Sequence, residues 1–259
     1  AFDLLYAIYE EEGYEPGEIP EKILTHNIYG IEIDERAGEL AAFALIMKAR
    51  AKQRRFFNKG VKPNICVLEN VKFDADELAE YMGFVGRDLF TATLQTTLRQ
   101  FEEADNFGSL IRPDVTDVAE MFRTLEAKDV SGQLFLSETH KNVLQALRQV
   151  DYLNQKYHAV IANPPYMGAS NANPRLKRFL SAEYPSGKAD LMTGFILRAR
   201  DLVYEKGFVA AVTLDSWMFL SSYQDFRDGL FKVGSISTLV HVGWNCFPDG
   251  HAYNRGVAF

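Results

Sequence analysis

The sequence is poor in cysteine. Its 259 residues include two, Cys66 and Cys246, which lie far apart and lack the spacing of metal ligands. A zinc site and a disulfide framework are therefore both disfavoured, and two isolated thiols fit a reducing cytoplasm. We expect no metal in the functional site and a cytoplasmic location.

Long apolar runs and an excess of positive charge are also absent. No apolar stretch approaches the roughly 20 residues that span a bilayer, and no signal peptide is recognisable, so we expect no membrane partner. The 28 Lys and Arg residues against 35 Asp and Glu give a net charge of −7. Because phosphate contacts need Lys and Arg, this balance disfavours a lone DNA binder. Either the substrate is not nucleic acid, or a basic module lies outside this chain.

The most informative stretch is residues 157–166, with the sequence YHAVIANPPY. The apolar run 159–162 predicts a buried strand. Pro164 and Pro165 end it, because proline cannot donate to a sheet ladder and fixes its φ near −65°. The chain must therefore leave the strand in one stiff, extended conformation. We call residues 163–166 the NPPY segment and expect it at the carboxyl edge of a sheet, where open α/β sheets bind ligands.

The NPPY segment offers two acceptors and a ring. The Asn163 side-chain oxygen and the Pro164 carbonyl suit a planar –NH2 group with two donors. Tyr166 supplies a flat aromatic face for stacking. The ligand indicated is a flat group bearing an amine, such as the exocyclic amine of adenine or cytosine or a glutamine amide. The alternative is a proline turn that closes a strand, with Tyr166 merely packed.

Residues 27–34 (NIYGIEID) predict a parallel strand with an acidic end, followed by a helix over 36–55. A carboxylate at such a strand tip can accept both ribose hydroxyls of a nucleoside, and Glu32 is the candidate. Ile33 would pack on the adenine ring, whereas Asp34 is a helix N-cap. The alternative for Glu32 is a solvated acid at the end of a strand.

The remaining patterns complete an alternating order of strands and helices. Further strands are predicted at 64–70, 208–214 and 236–242, and residues 256–259 look like the opening of another. Residues 74–154 break the alternation with apolar residues at helical spacing, which indicates a helical insertion. The order predicts an α/β fold with a mostly parallel, doubly wound sheet.

The NPPY segment resembles motif IV of the amino-methyltransferases that use S-adenosylmethionine. Asn-Pro-Pro-Tyr is the form typical of adenine-specific DNA methyltransferases and of protein-glutamine methyltransferases. The phrases AFDLLYAIYEEEGY, NIYGIEIDERAGELAAFALIMKA and VIANPPYMGASN are similar to the PglX-like enzymes of BREX phage exclusion. The resemblance covers most of the chain outside 74–154. It implies a Rossmann-like class I methyltransferase core over residues 1–259, truncated at both ends, with 74–154 inserted.

The resemblance also implies roles for particular residues. Glu32 and Ile33 match motif II, Asp190 lies where motif V has an acidic residue, and Phe247 follows a strand in the manner of motif VIII. The alternatives are a helix N-cap for Asp190, core packing for Phe247, and the polar end of a strand for Glu69 and Asn70. The implied catalytic residues are Asn163, Pro164, Pro165 and Tyr166. The implied cofactor-binding residues are Glu32, Ile33, Glu69, Asn70 and Asp190. Tyr166 and Phe247 would contact the substrate base.

The implied reaction is methyl transfer from S-adenosylmethionine to the N6 amine of an adenine flipped out of double-stranded DNA, in phage defence or restriction-modification. The family's glycine-rich cofactor loop precedes a helix like that of residues 2–12, and it is missing from this sequence. We therefore expect a fragment that is inactive alone, with target recognition outside this chain and defence-system proteins as possible partners. Two alternatives stay open: a protein-glutamine methyltransferase, which fits the acidic charge, and a non-catalytic module that binds DNA or a partner.

Overall fold

The structure is a computed structural model that describes residues 1–86, 90–115, 117–128, 130, 134–243 and 255–259. The chain divides into two compact units, Ala1–Leu153 and Asn154–Phe259. Each unit has its own sheet. Within the described ranges, no helix is both long and apolar enough to cross a membrane.

The first unit is mainly helical. Its helices are α1 (Phe2–Glu11), α2 (Ile19–Lys22), α3 (Glu35–Lys52), α4 (Ala75–Val85), α5 (Phe90–Gln100), α6 (Ala104–Phe107), α7 (Val118–Glu126) and α8 (Leu134–Asn154). Shorter helical turns lie at Ile23–Asn27, Phe56–Lys59, Phe101–Glu103 and Gly108–Leu110. Its strands are β1 (Tyr29–Glu32) and β2 (Asn64–Val67).

β1 and β2 form a parallel pair in which Gly30 lies opposite Ile65 and Glu32 opposite Val67. The connection runs through α3, which begins where the Asp34 carboxylate accepts a hydrogen bond from the Ala37 amide at 2.9 Å. The predicted strand, helix and N-cap are therefore confirmed. Gly38 allows the close approach of α3 to the sheet, because a Cβ there would lie 2.6 Å from Cγ2 of Val67.

The helical spacing of Leu40, Phe43, Ala44 and Met47 predicts that they form the apolar face through which α3 packs, and this prediction is wrong. Leu40, Phe43 and Met47 are exposed, Phe43 to 59%. Gly38 and Ala49 are its buried positions, and Leu45 and Ile46 are partly buried against the apolar core that α1 and α2 form. The stripe of Leu40, Phe43 and Met47 faces away from these contacts.

The helices α4 to α8 pack around a common apolar core that also includes the end of β2. Leu68 and Val71 belong to this core, together with Leu147 and Val150 of α8. Inside the core the Tyr81 hydroxyl lies 2.8 Å from Nδ1 of His140. Burial lowers the pKa of His140. The imidazole is therefore neutral at neutral pH, and its Nδ1 shares one hydrogen bond with the Tyr81 hydroxyl.

The second unit alternates strands and helices. Its strands are β3 (Tyr157–Ala162), β4 (Val203–Leu214), β5 (Val240–Gly243) and β6 (Gly256–Ala258). Its helices are α9 (Pro174–Glu183), α10 (Leu191–Leu202), α11 (Ser216–Phe219) and α12 (Gln224–Val233), with a short helical turn at Ser221–Tyr223.

The sheet of the second unit is mixed. Its strand order is β3-β4-β6-β5. β3 and β4 are parallel, with Ala162 opposite Ala211. β6 is antiparallel to both β4 and β5. The strand expected at 256–259 is thus confirmed. This unit has α/β architecture, but one of its strand pairs is parallel and two are antiparallel, so the mostly parallel sheet that the alternation predicts is not confirmed here.

β3 lies where it was predicted, but it is not buried. Ile161 is 74% exposed, and His158 and Ala159 are also exposed. A continuous apolar run is typical of a strand covered on both faces. Within the described residues β3 has β4 as its neighbour and forms an edge of its sheet, and its face lacks the expected cover. Sequence periodicity indicates which residues are apolar and leaves open what lies against them.

Candidate active site

The NPPY segment follows β3 directly at the carboxyl end of the parallel β3–β4 pair. Asn163 and Pro165 are exposed, Pro164 is buried, and Tyr166 is 37% exposed. The buried proline anchors the segment, whereas the asparagine and the ring remain accessible. An inward-facing Asn163 amide surrounded by aliphatic groups would have excluded a binding role, and the structure does not have that arrangement.

The Tyr166 hydroxyl bonds to the side chain at the other end of the segment. It lies 2.7 Å from Oδ1 of Asn163 and 3.1 Å from the Val212 carbonyl of β4. An amide oxygen has two lone pairs, so this bond orients Oδ1 and leaves acceptor capacity for a second donor. Sequence reasoning gave Tyr166 only a stacking role. It missed the bond to the Val212 carbonyl because Val212 lies 46 residues further along the chain.

Asp190 is buried and joins the segment after NPPY to helix α10. Its Oδ1 accepts from the Met192 amide at 3.0 Å, as an N-cap, and from the Met167 amide at 3.2 Å. The Leu191 amide donates back to the Met167 carbonyl at 3.0 Å. Burial raises the pKa of the Asp190 carboxyl, and the two amide bonds oppose that rise. Its predicted contact with a cofactor stays a prediction, and its visible contacts hold the chain that follows Tyr166.

Glu32 and Ile33 lie at the carboxyl end of β1. The Oε1 atom of Glu32 accepts from the amides of Ile33 at 2.8 Å and Asp34 at 3.2 Å, which fixes the carboxylate at the strand tip. Ile33 is 50% exposed, and a Cβ on Gly108 would lie 2.9 Å from its Cγ2. An oriented carboxylate beside an accessible aliphatic side chain matches the adenosine half of S-adenosylmethionine, which offers two hydroxyls and a flat ring.

Glu69 and Asn70 extend from the end of β2 and have intramolecular partners. The Glu69 carboxylate accepts a hydrogen bond from the Gln145 side chain, and Asn70 Oδ1 accepts from the Asp105 amide at 3.0 Å. Both residues are exposed. They lie near Glu32, since the Leu68 amide donates to the Glu32 carbonyl at 2.7 Å. The first unit therefore brings four predicted cofactor residues to one pair of strand ends.

A histidine–carboxylate pair in the second unit was not foreseen. Nε2 of His241, on β5, lies 2.8 Å from Oδ2 of Asp215, which follows β4. Phe247, the predicted base contact, lies outside the described residues. Among the residues that are described, no group of three or more histidines, cysteines or acids could hold a metal ion.

Together these features define a methyltransferase-like α/β protein: parallel strands with helical connections, a carboxylate at one strand tip and Asn-Pro-Pro-Tyr at another. Residues 26–247 match the family described as Eco57I restriction-modification methylase. The chain belongs to this family.

Two curated relatives agree with this assignment. The adenine-specific methyltransferase BrxX of Escherichia coli O9:H4 (strain HS) is 37% identical over 270 residues, which cover 95% of this chain and 22% of the relative. The adenine-specific methyltransferase PglX of Lacticaseibacillus casei (strain Zhang) is 30% identical over 256 residues, covering 96% and 21%. The chain thus spans about a fifth of the length of these relatives.

Proposed function

We propose that the full-length protein transfers a methyl group from S-adenosylmethionine to the N6 amine of adenine in DNA, as part of phage defence. The accessible NPPY segment at the end of a parallel strand, in a chain of this methylase family, is the observation that carries the proposal. The two relatives named for adenine-specific methylation support the choice of base.

The chain's own residues position the reacting amine. Asn163 Oδ1 and the Pro164 carbonyl would each accept one N–H of the amine, which fixes its plane and favours a nitrogen with an available lone pair. Tyr166 would stack on the base, and this stacking offsets part of the few kcal/mol that base flipping costs. Most of the rate would come from alignment of the nitrogen with the methyl carbon.

Glu32 and Ile33 would hold the adenosine half of the cofactor. The Glu32 carboxylate would accept hydrogen bonds from the ribose hydroxyls, and the Ile33 side chain would cover the adenine ring. Glu69 and Asn70 would face the polar edge of that ring. When bound, the cofactor supplies an activated methyl group with a neutral sulfur leaving group. Asp190 would keep the segment after Tyr166 in place, and Phe247 would contact the base.

The finer fold assignment is likewise proposed: a Rossmann-like, doubly wound, mostly parallel sheet of the class I methyltransferase type, with residues 74–154 as a helical insertion. It is supported within each unit by a parallel pair joined through helix, β1-α3-β2 in the first and β3 to β4 through α9 and α10 in the second. Double-stranded DNA is the proposed partner, with target recognition outside residues 1–259 and defence-system proteins as further partners.

A mass-spectrometric assay tests the function. The full-length protein is expressed in a host without adenine methylation, and genomic DNA and total protein are both analysed. N6-methyladenine in the DNA is the expected result. Methylglutamine without methyladenine would assign the protein-glutamine activity, which the net charge of −7 favours. Neither product, together with no binding of S-adenosylmethionine, would leave a non-catalytic binding module.

A further inference from the structure

We propose that Gln149 is a positioning residue for the cofactor, and that helix α8 thereby gives residues 74–154 a role in cofactor binding. This inference rests on the proposed function. Gln149 is only 3% exposed. Its Oε1 accepts from the Glu69 amide at 3.0 Å, and its Nε2 donates to the Glu69 carbonyl at 3.1 Å. The side-chain amide of Gln149 thus bonds both the N–H and the C=O of Glu69, as the backbone of a neighbouring strand would.

A second glutamine on α8 acts on the same residue. Gln145 lies four positions before Gln149, and residues with this spacing share one face of a helix. Its Nε2 donates to Oε2 of Glu69. One helix face therefore holds both the backbone and the carboxylate of Glu69. Since a carboxylate offers about four acceptor positions, the bond from Gln145 orients it and leaves capacity for a further donor.

The residues after Glu69 are held by the same helical region. The Asp105 amide donates to Oδ1 of Asn70 at 3.0 Å, and the Val71 amide donates to the Phe101 carbonyl at 2.9 Å. Leu68 and Val71 are buried in the core that α8 shares. Residues 69–71 are thus bonded to partners at positions 101–149, and Leu68 before them is held by the Glu32 carbonyl and the shared core.

This arrangement determines what Glu69 can offer a ligand. Its amide and carbonyl both bond to the buried side chain of Gln149, so the exposed carboxylate is the group that we assign to the exocyclic amine of the cofactor's adenine. An acceptor that is already oriented binds more tightly, because less conformational freedom is lost on binding. Without Gln149 the strand end would lose two bonds, and the carboxylate would have to be ordered when the cofactor binds.

The test compares two variants of the full-length protein by titration calorimetry with S-adenosylmethionine. Gln149→Leu removes both bonds to the Glu69 backbone. Tyr81→Phe is the matched control, because it removes a buried hydrogen bond to His140, which lies nine residues, or about 13 Å, further back along α8. We expect Gln149→Leu to weaken binding at least about tenfold, and Tyr81→Phe to stay within about twofold of the parent.

Steady-state kinetics give a second readout. Gln149→Leu should raise KM for S-adenosylmethionine and leave kcat at saturating cofactor within about twofold, since the chemistry at the NPPY segment is untouched. If Gln149 and Tyr81 both served only to stabilise the helical core, each variant would contain a smaller fraction of active protein, and kcat would fall in both.

Unchanged affinity in folded Gln149→Leu would overturn the inference and leave the proposed function standing. A parent protein that does not bind S-adenosylmethionine would overturn the proposed function, and this inference with it. If circular dichroism shows that Gln149→Leu does not fold, Gln145→Met carries the test, because Gln145 is partly exposed and bonds only the carboxylate. A loss of about threefold is then expected, and parent-like affinity overturns the inference.

Discussion

The ends of β3 and β2 are ordered in different ways. After β3, Tyr166 bonds to Asn163 three residues away, and two prolines stiffen the chain between them. After β2, Glu69 bonds to Gln145 and Gln149, which lie 76 and 80 residues further on. The first strand end is organised largely by its own sequence, and the second by a distant helix. The comparison also separates two roles, since we assign the first end to the substrate amine and the second to the cofactor.

After the loss of Asn163 itself, the largest effect should come from the ring at the β3 end. In the full-length enzyme, Tyr166→Ala removes the stacking surface and should lower kcat/KM for DNA roughly tenfold to a hundredfold, measured by methyl transfer to duplex DNA. Tyr166→Phe keeps the ring and loses the bonds to Asn163 and Val212, so the expected loss is about threefold. Equal losses in the two variants would show that the hydroxyl matters more than the ring.

A change at the end of β1 should affect the cofactor alone. Glu32→Ala removes the carboxylate that we assign to the ribose hydroxyls and should weaken S-adenosylmethionine about tenfold or more by calorimetry, because bonds to a charged acceptor contribute about 1.5–3 kcal/mol each. Glu35→Ala, in the first turn of α3, is the control and should bind normally. An altered KM for DNA with unchanged cofactor affinity would contradict our assignment of the β1 end to the cofactor.

A smaller effect should come from Asp190, which ties the chain after Tyr166 to α10. Asp190→Ala leaves the Met167 and Met192 amides without their acceptor and should lower the free energy of unfolding by about 1–2 kcal/mol. Asp190→Asn keeps an acceptor oxygen and should lose less. Denaturant titration measures both. A stability equal to the parent in the alanine variant would mean that residues 167–169 are held by other contacts.

The smallest effect should be a pH dependence in the helical region. Burial lowers the pKa of His140 below its ordinary value of 6.5, so below that value the unfolded chain binds more protons than the folded one. Stability should therefore fall as the pH drops below about 6.5, because protonation of the unfolded chain is then favoured. His140→Leu should flatten this slope in denaturant titrations, and an unchanged slope would contradict the prediction.

What the sequence predicts well is what neighbouring residues determine. The NPPY segment, the β3 strand before it, and the Asp34 and Asp190 caps all depend on contacts within a few positions. The sequence predicts Glu69 as a cofactor residue at the end of β2, but it does not predict its partners Gln145 and Gln149 in α8. A glutamine in a helical pattern gives no indication of the group to which it bonds. Burial of β3 and of the α3 stripe was mispredicted for the same reason, since periodicity does not identify the covering element.

The most direct test of the account is methylation by the full-length Asn163→Ala protein. Asn163 is exposed, so its removal should leave the fold and the affinity for S-adenosylmethionine unchanged. The variant should lose methyl transfer by on the order of a hundredfold or more, because the amine loses one of its two acceptors and its alignment. Asn171→Ala, the same change eight residues further on, serves as the control. Parent-like N6-methyladenine from the Asn163→Ala protein would contradict the central claim that the NPPY segment holds the reacting amine.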